Sequence, residues 1–101
     1  MILVITRMKV FSEKRLELSQ TLDSLSASIR QAQGCSHCEC FRSIEDEDQL
    51  LLFEEWDNDE NLTTHLNSED YRVIRGVRNL LREPYERKHY VVKLMKEGQL
   101  S

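Results

Sequence analysis

The spacing of hydrophobic residues changes along the first half of the chain and predicts a strand followed by a helix. Residues 2–10 are apolar and rich in β-branched side chains, which is typical of a strand. An apolar stripe at alternating spacings of four and three then predicts a helix of about five turns. We expect Ser12 to cap the start of this helix and Gly34 to stop its end. The members of the stripe are Leu18, Leu22, Leu25, Ile29 and Ala32.

The middle of the chain alternates between two faces, which indicates strands. Residues 35–44 form a second strand candidate diluted by polar side chains, and an acidic turn at 45–48 separates it from a third. The third strand, residues 49–56, shows the clearest pattern because both of its faces are largely apolar. One face carries Leu50, Leu52, Glu54 and Trp56, and the other carries Leu51, Phe53 and Glu55.

The last part of the chain predicts a helical segment broken in two and then a strand. Asp57 and Glu60 have the spacing of a capping box, which predicts the start of a short helix. Ser68 is suited to cap the next helix, which Pro84 ends before a last strand from Tyr85 to Leu94. The inward positions are Leu62, His65 and Leu66 in the first helix and Ile74, Val77 and Leu81 in the second, with Tyr71 and Leu80 beside them.

The resulting order, β-α-β-β-α-β, is that of the split, ferredoxin-like α+β fold with a four-stranded antiparallel sheet. At 101 residues the chain has the size of one domain, spanning 1–101. Helices cover one face of such a sheet, so the other face would expose Leu51 and Phe53 with apolar residues of the first strand. Because such a patch usually marks an interface, we expect a homodimer formed through this sheet face.

Charge and composition narrow the classes of partner. With 18 acidic against 14 basic residues the net charge is -4, which argues against nucleic acid because a basic face is expected there. No run approaches the roughly 20 apolar residues of a membrane span. Residues 1–5 lack the basic segment and cleavage site of a signal peptide, so we expect a cytoplasmic protein.

Three cysteines, Cys35, Cys38 and Cys40, suggest a zinc or redox site together with His37. An odd count bunched this closely is not a disulfide framework. Strand alternation would place Cys38 and Cys40 on one face and Cys35 on the other, whereas a tetrahedral site needs converging ligands. We therefore expect reduced, buried or half-buried thiols and no bound metal.

An ordered set of motifs along nearly the whole chain resembles the antibiotic biosynthesis monooxygenase family of dimeric α+β barrels. The set comprises Gly34-Cys35, the acidic turn, Phe53-Glu54-Glu55-Trp56 at the third strand's end, His65-Leu66-Asn67-Ser68 at the helix joint, and the helix of Tyr71. The resemblance implies a homodimer in which two sheets form a barrel. It also implies a pocket in each subunit between the sheet and the helices.

The resemblance implies several activities. Some members of the family oxidise quinols or anthrones with oxygen and without metal or flavin, some degrade haem, and others act on signalling molecules or have no known activity. The haem degraders use an Asn on the first strand, a Trp at the helix joint and a His one helix later. The corresponding positions here, Thr6, His65 and Arg75, all differ. Haem degradation is therefore a minor alternative.

His65 is the strongest candidate for chemistry, because a general base near neutral pH is most simply a histidine. It could instead only line its helix, stacked on Trp56. The resemblance turns the face of Leu52 and Trp56 toward the pocket, where the indole could wall a flat substrate or simply fill the core. Thr6 shares the parity of apolar strand residues and could orient a substrate oxygen, or only bond locally.

Tyr71 and Arg75 are four residues apart on one predicted helix and are therefore neighbours. Together they could hold a phenolate-like oxygen of the substrate. A solvated Arg beside a partly buried Tyr is the alternative. With Leu52, these two residues complete the predicted substrate-binding set.

The leading hypothesis is a cofactor-independent monooxygenase that oxidises a small electron-rich aromatic, such as a quinol or anthrone, with oxygen. In the mechanism that the resemblance implies, His65 would remove a phenolic proton, the anion would give an electron to oxygen, and the radical pair would recombine. No metal-ligand set or nucleotide-binding glycine motif argues for a cofactor. The alternatives are a non-catalytic dimer that binds a small apolar ligand or a protein, and an isomerase or cyclase on a similar scaffold.

Overall fold

Strands and helices follow one another in the order predicted from the sequence, and the computed structural model describes residues 1–98 of the chain. The split α+β pattern is therefore confirmed. The strands are β1 (Ile2–Lys9), β2 (Cys35–Arg42), β3 (Gln49–Trp56) and β4 (Glu86–Val91). The helices are α1 (Arg15–Ile29), α2 (Asp59–His65) and α3 (Glu69–Gly76).

The four strands form one antiparallel sheet in the order β2-β3-β1-β4. The strand β1 lies inside the sheet, with β3 on one side and β4 on the other. Its residue Thr6 pairs with Leu52 of β3 and with Arg87 of β4. Paired residues share a face of the sheet, so three segments distant in sequence place these side chains in one row.

One face of the sheet, which we call the helix face, packs against the helices and forms the core. On β3 it carries the predicted set from Leu50 to Trp56, and all four side chains are buried. The α1 stripe is buried as expected from Leu18 to Ile29, whereas Ala32 packs on the core from beyond the end of the helix. The alternate residues of β3 and the apolar stripe of α1 therefore pack together in a single core.

The start of α1 differs from the prediction. A short 3-10 turn, Ser12–Lys14, precedes the helix, and Ser12 does not cap it. Its hydroxyl instead donates a hydrogen bond to Asp48, 2.8 Å away in the acidic turn. The Ser12 hydroxyl therefore bonds to a side chain that is distant in sequence and does not cap the helix, as the local sequence had predicted it would.

The predicted capping box at the start of α2 is also wrong by one residue. Asn58 is the N-cap, and its side-chain oxygen accepts a hydrogen bond of 2.9 Å from the backbone N–H of Asn61. Asp57 accepts instead from the side chain of Asn61. An Asn and an Asp are comparably good caps, so composition alone does not choose between adjacent positions.

Gly34 has the left-handed conformation expected of it, with φ of +86°. However, α1 ends earlier, and Gly34 turns the chain into β2 beside the start of α2. A Cβ atom there would lie 2.6 Å from a carboxylate oxygen of Asp57 and 2.5 Å from the amide nitrogen of Asn61. Glycine is required by this close approach as well as by the backbone.

The last strand is shorter than predicted, ending at Val91 instead of Leu94. Val91 pairs with Ile2, the first residue of β1, and the N–H of Val92 bonds to the carbonyl of Met1. The partner strand therefore supplies no further pairing. The strand β2 also ends earlier than predicted, at Arg42, which pairs with Leu50, rather than continuing to residue 44.

The helix before β4 ends before Pro84 is reached. The α-helical turns of α3 stop at Gly76 and continue as a 3-10 turn, Val77–Leu80. The predicted inward stripe holds across this change, since Ile74, Val77 and Leu81 are all buried. No helix in residues 1–98 is both long and apolar enough to span a bilayer.

The cysteine arrangement corrects a prediction. The register of β2 against β3 shifts between Cys35 and His37, which marks a β-bulge. Cys35 thereby pairs with Trp56 and lies on the same face as Cys38 and Cys40. Strict alternation had placed Cys35 on the opposite face, and a single extra residue in the strand is enough to reverse it.

The second face of the sheet, which we call the open face, is not covered by any helix within residues 1–98. Its side chains come from alternate positions of all four strands and are half-buried or exposed. They include the aromatic group in which His37 and Phe41 each make an edge contact with Phe53. The predicted homodimer would cover this face, and that assembly remains a prediction.

Candidate active site

His65 is held at the end of α2 against the end of β3. Its ring stacks on the Trp56 indole, with ring centroids 4.7 Å apart and planes tilted by 33°. Only 2% of the His65 side chain is exposed. Because α2 begins just after β3 ends, the short helix returns its last residue to the indole. The stacking that sequence analysis allowed for is therefore present.

Glu54 lies beneath this pair on the same face of β3 and is fully buried. The indole Nε1–H of Trp56 donates a 3.1 Å hydrogen bond to Glu54 Oε1. His65 Nε2 lies 3.7 Å from the same oxygen, and a guanidinium nitrogen of Arg87 lies 3.8 Å from Oε2. A buried carboxylate thus joins the stacked aromatic pair to a cation on β4.

Burial shifts the pKa values of Glu54 and His65 in opposite directions. It raises the pKa of Glu54, although the Arg87 charge and the Trp56 hydrogen bond act in the opposite direction. Burial also lowers the pKa of His65, with the nearby Asp70 carboxylate opposing that change. A lowered pKa keeps the imidazole neutral near neutral pH, which is the form that can accept a proton.

A cavity of about 350 Å³ lies beside the stacked pair. His65 and Trp56 line it, together with Ser68, whose hydroxyl oxygen is 3.3 Å from His65 Nδ1. Ser68 occupies the predicted N-cap position of α3. The remaining lining residues come from the turn after α1, from α2 and from α3: Ala32, Gln33, Glu60, Asn61, Thr64 and Asp70.

Thr6 and Leu52 lie deeper in the core, and both are fully buried. They share a row with Arg87 and do not line the cavity beside His65. The Thr6 hydroxyl is without a hydrogen-bond partner among the described residues. The structure therefore separates these two predicted site residues from the cavity and places them on the Arg87 side of Glu54.

The sequence profile of the antibiotic biosynthesis monooxygenase family matches residues 1–76. The chain belongs to this family. The match spans β1 through α3 and so includes Glu54, Trp56 and His65. No curated protein matches the chain.

Solved structures of low sequence identity share the fold of this family member. A Deinococcus radiodurans protein provisionally named an antibiotic biosynthesis monooxygenase has 20% identity and a TM-score of 0.89, covering 98% of this chain and 99% of its own. A Nitrosomonas europaea protein of the same provisional name has 17% identity and a TM-score of 0.84, covering 91% and 98%. A conserved Methanosarcina mazei protein has 24% identity and a TM-score of 0.86, covering 91% and 92%.

Tyr71 and Arg75 are neighbours on α3 as predicted. The Arg75 guanidinium lies over the Tyr71 ring, 5.1 Å from its centroid, and Arg75 is exposed to solvent. The Arg87 guanidinium also lies over this ring, at 5.0 Å. Tyr71 is thus held between the surface and the buried cluster, and Arg75 matches the solvated arginine that sequence analysis gave as the alternative.

Glu54 and Arg87 were missed as site residues by sequence reasoning. For Glu54 a signal existed, because an acidic residue shares its strand face with Leu50, Leu52 and Trp56. For Arg87 there was none, since charged residues occupy both faces of β4. Its side chain is only 8% exposed, and both terminal nitrogens are without a hydrogen-bond partner among residues 1–98.

The cysteines form a separate group on the edge strand. Within the described part of the chain no cluster of three or more His, Cys, Asp or Glu side chains could hold a metal ion. All three thiols are free, and burial raises the pKa of Cys38 to about 12. Burial also raises the pKa of Cys35 and Cys40. Thiols with raised pKa values are poor nucleophiles, which fits a packing role.

Proposed function

We propose that this family member is a cofactor-independent monooxygenase that oxidises a small electron-rich aromatic of the quinol or anthrone type with O2. The observation that carries the proposal is the buried His65 stacked on Trp56 at the wall of a cavity, where burial lowers the pKa of the imidazole and so favours its neutral form. A histidine in this state is suited to take a proton from a phenolic or enolic hydroxyl. The membership of the chain in a monooxygenase family supports the same reaction class.

The chemistry begins with removal of the hydroxyl proton by His65. The resulting anion gives one electron to O2, which leaves a substrate radical and superoxide. The two recombine to form a carbon–oxygen bond in a peroxide. Cleavage of the O–O bond leaves one oxygen atom on the product, while the other departs as water with protons from the substrate. No electron enters from outside the substrate.

Trp56 contributes shape to this site rather than acid–base chemistry. Its indole is fully buried and its N–H is committed to Glu54. The part of the ring system that borders the cavity can pack a flat aromatic substrate. Packing the substrate against apolar surface excludes water that would divert the radical pair.

A non-catalytic module that binds a small ligand is the second candidate. It is favoured by the position of Thr6 and Leu52, which do not line the cavity that His65 lines. A substrate there would be held by fewer of the predicted residues than the enzyme hypothesis assumed. Such a module would bind an aromatic without consuming oxygen.

Oxygen uptake with a panel of quinols and anthrones distinguishes the two candidates. Wild type should consume O2, and His65→Ala should lower the rate by at least about 100-fold, the lower limit for general-base catalysis. The matched control is His37→Ala, an exposed histidine on the open face, which should keep the wild-type rate. Circular dichroism would confirm that both variants are folded.

Two results would contradict the proposal. One is a His65→Ala variant that turns over within a few-fold of wild type while remaining folded. The other is a wild type that binds the aromatics, measured by quenching of its single tryptophan, but consumes no oxygen with any of them. The second result would establish the binding module instead.

A further inference from the structure

Glu54 Oε1 is fixed as a hydrogen-bond acceptor by the residue two positions along its strand. The indole Nε1–H of Trp56 points at this oxygen over 3.1 Å. An indole nitrogen can donate but never accept. Whichever protonation state Glu54 adopts, a proton on the carboxyl group is therefore favoured at Oε2, and Oε1 presents lone pairs.

His65 faces the same oxygen with its Nε2 atom. The separation is 3.7 Å, a close contact that falls short of a full hydrogen bond. If Nε2 were unprotonated, its lone pair would oppose the lone pairs of Oε1. If Nε2 carries the ring proton, the contact becomes attractive. On the other side of the ring, Ser68 has a rotatable hydroxyl 3.3 Å from Nδ1 and can donate to it.

We propose that Glu54 is a positioning residue that holds neutral His65 in the tautomer with its proton on Nε2, which leaves Nδ1 as the basic atom beside Ser68 and the cavity. The inference rests on the proposed function, in which His65 is the base. It assigns the proton-accepting atom as Nδ1. It also gives the buried carboxylate a purpose, since Glu54 does not itself line the cavity.

The charges around His65 from each element packed on it are consistent with this assignment. Glu54 comes from β3, Arg87 from β4 and Asp70 from α3. Asp70 is held by a 2.7 Å hydrogen bond from Ser28 of α1. The Arg87 cation lies near Oε2 rather than Oε1, so it supports the carboxylate without competing for the oxygen that faces His65.

The variant Glu54→Gln tests the role of the carboxylate with little change in volume. A glutamine must keep its carbonyl oxygen on the Trp56 indole N–H, so an uncharged amide oxygen replaces the carboxylate oxygen that faces His65 Nε2. The matched control is Glu55→Gln, the next residue on β3, which lies half-buried on the open face. It changes the formal charge equally and does not face His65.

The direct measurement is a long-range ¹H–¹⁵N correlation spectrum of the histidine rings during a pH titration of ¹⁵N-labelled protein. Signals that vanish in His65→Gln identify His65. Wild type and Glu55→Gln should show a protonated Nε2 and an unprotonated Nδ1. Glu54→Gln should weaken this preference, because an amide oxygen is a weaker acceptor than a carboxylate oxygen. Its His65 should also become neutral at lower pH, because a nearby negative charge is gone.

A wild-type spectrum with the proton on Nδ1 would overturn the inference, as would a Glu54→Gln spectrum that matches wild type in tautomer and titration. If Glu54→Gln does not fold, the wild-type tautomer still decides, and Trp56→Phe, which frees Oε1 from the indole, becomes the second variant and should weaken the preference. The spectrum needs no substrate. Failure of the tautomer assignment is therefore distinct from failure of oxygen uptake.

If the enzyme is active, kinetics give a second test. Glu54→Gln should lower kcat and leave KM unchanged, because Glu54 acts through His65 and does not line the cavity. A change in KM alone would mean that Glu54 shapes the cavity without affecting the base.

Discussion

Similar residues have different surroundings on the two faces of the sheet. Glu54 and Glu55 are consecutive on β3, yet Glu54 is fully buried among Trp56, His65 and Arg87, whereas Glu55 is half-buried on the open face. The contrast arises because successive side chains of a strand point in opposite directions. The helix face holds a buried cluster of ionisable side chains, whereas the open face presents half-buried and exposed side chains.

The histidines repeat this contrast. His37 pairs with Glu39 at 3.1 Å on the open face, where both side chains are nearly half exposed. His65 faces Glu54 at 3.7 Å with both side chains almost completely buried. The shorter of the two His–Glu contacts lies in solvent, where such pairs contribute little. Proximity to a carboxylate therefore does not identify a catalytic histidine, and burial beside a cavity is the more informative observation.

The largest effect is expected on the free energy of unfolding when two adjacent leucines of β3 are each replaced by alanine. Leu52 is fully buried on the helix face and Leu51 is half-buried on the open face. Leu52→Ala should lower the free energy of unfolding by about 2–5 kcal/mol, the usual range for a core leucine. Leu51→Ala should cost clearly less. Urea denaturation of both variants at one protein concentration measures this, and equal losses would show that the faces are equally buried in solution.

The predicted homodimer can be tested on the open face alone. Light scattering of wild type at micromolar concentration should give twice the chain mass of 12.0 kDa. Phe53→Glu places a charge in the aromatic group of that face and should shift the mass toward 12.0 kDa, because a buried, unpaired charge is costly. Glu54→Gln, on the helix face, should leave the mass unchanged. A monomeric wild type with a native spectrum would rule out the barrel.

The fold was predictable where one pattern dominated a whole element. The strand β3 agrees with prediction from Gln49 to Trp56 because alternating side chains define both of its faces. The stripe of α1 and the inward positions of α3 agree for the same reason. The ends of helices and strands were less predictable. Ser12 bonds to Asp48 instead of capping α1, and β4 ends at Val91 because Val91 pairs with Ile2, the first residue of β1.

The site was predictable only in part, because the position of Arg87 depends on the register in which the strands pair. His65 and Trp56 could be named from the helix joint and the strand end, and they are in contact. Arg87 reaches Glu54 only because β4 pairs with β1 in the register that sets Arg87 beside Thr6. A single bulge at Cys35 likewise decided which face its thiol occupies. Neither feature has a local signature in the sequence.

The smallest expected effect is a difference in the pH dependence of stability between the two faces. Burial lowers the pKa of His65 below the ordinary value of 6.5. Between 6.5 and the lower folded pKa the unfolded chain binds more protons, so acidification favours unfolding. The stabilising effect of a neutral His65 is complete above pH 6.5 and is lost as pH falls through that window. Glu54 acts oppositely, because its raised pKa makes stability fall as pH rises above 4.5.

His65→Gln should therefore remove part of the loss of stability on acidification through pH 6.5. Leu51→Ala, on the open face, changes no titratable group and should leave that loss as in wild type. The measurement is the urea midpoint of the three proteins on both sides of pH 6.5, at one protein concentration so that any dimer contributes equally. A His65→Gln midpoint that falls on acidification as much as that of wild type would contradict the prediction, since the comparison of the two proteins at each pH removes the opposing contribution of Glu54.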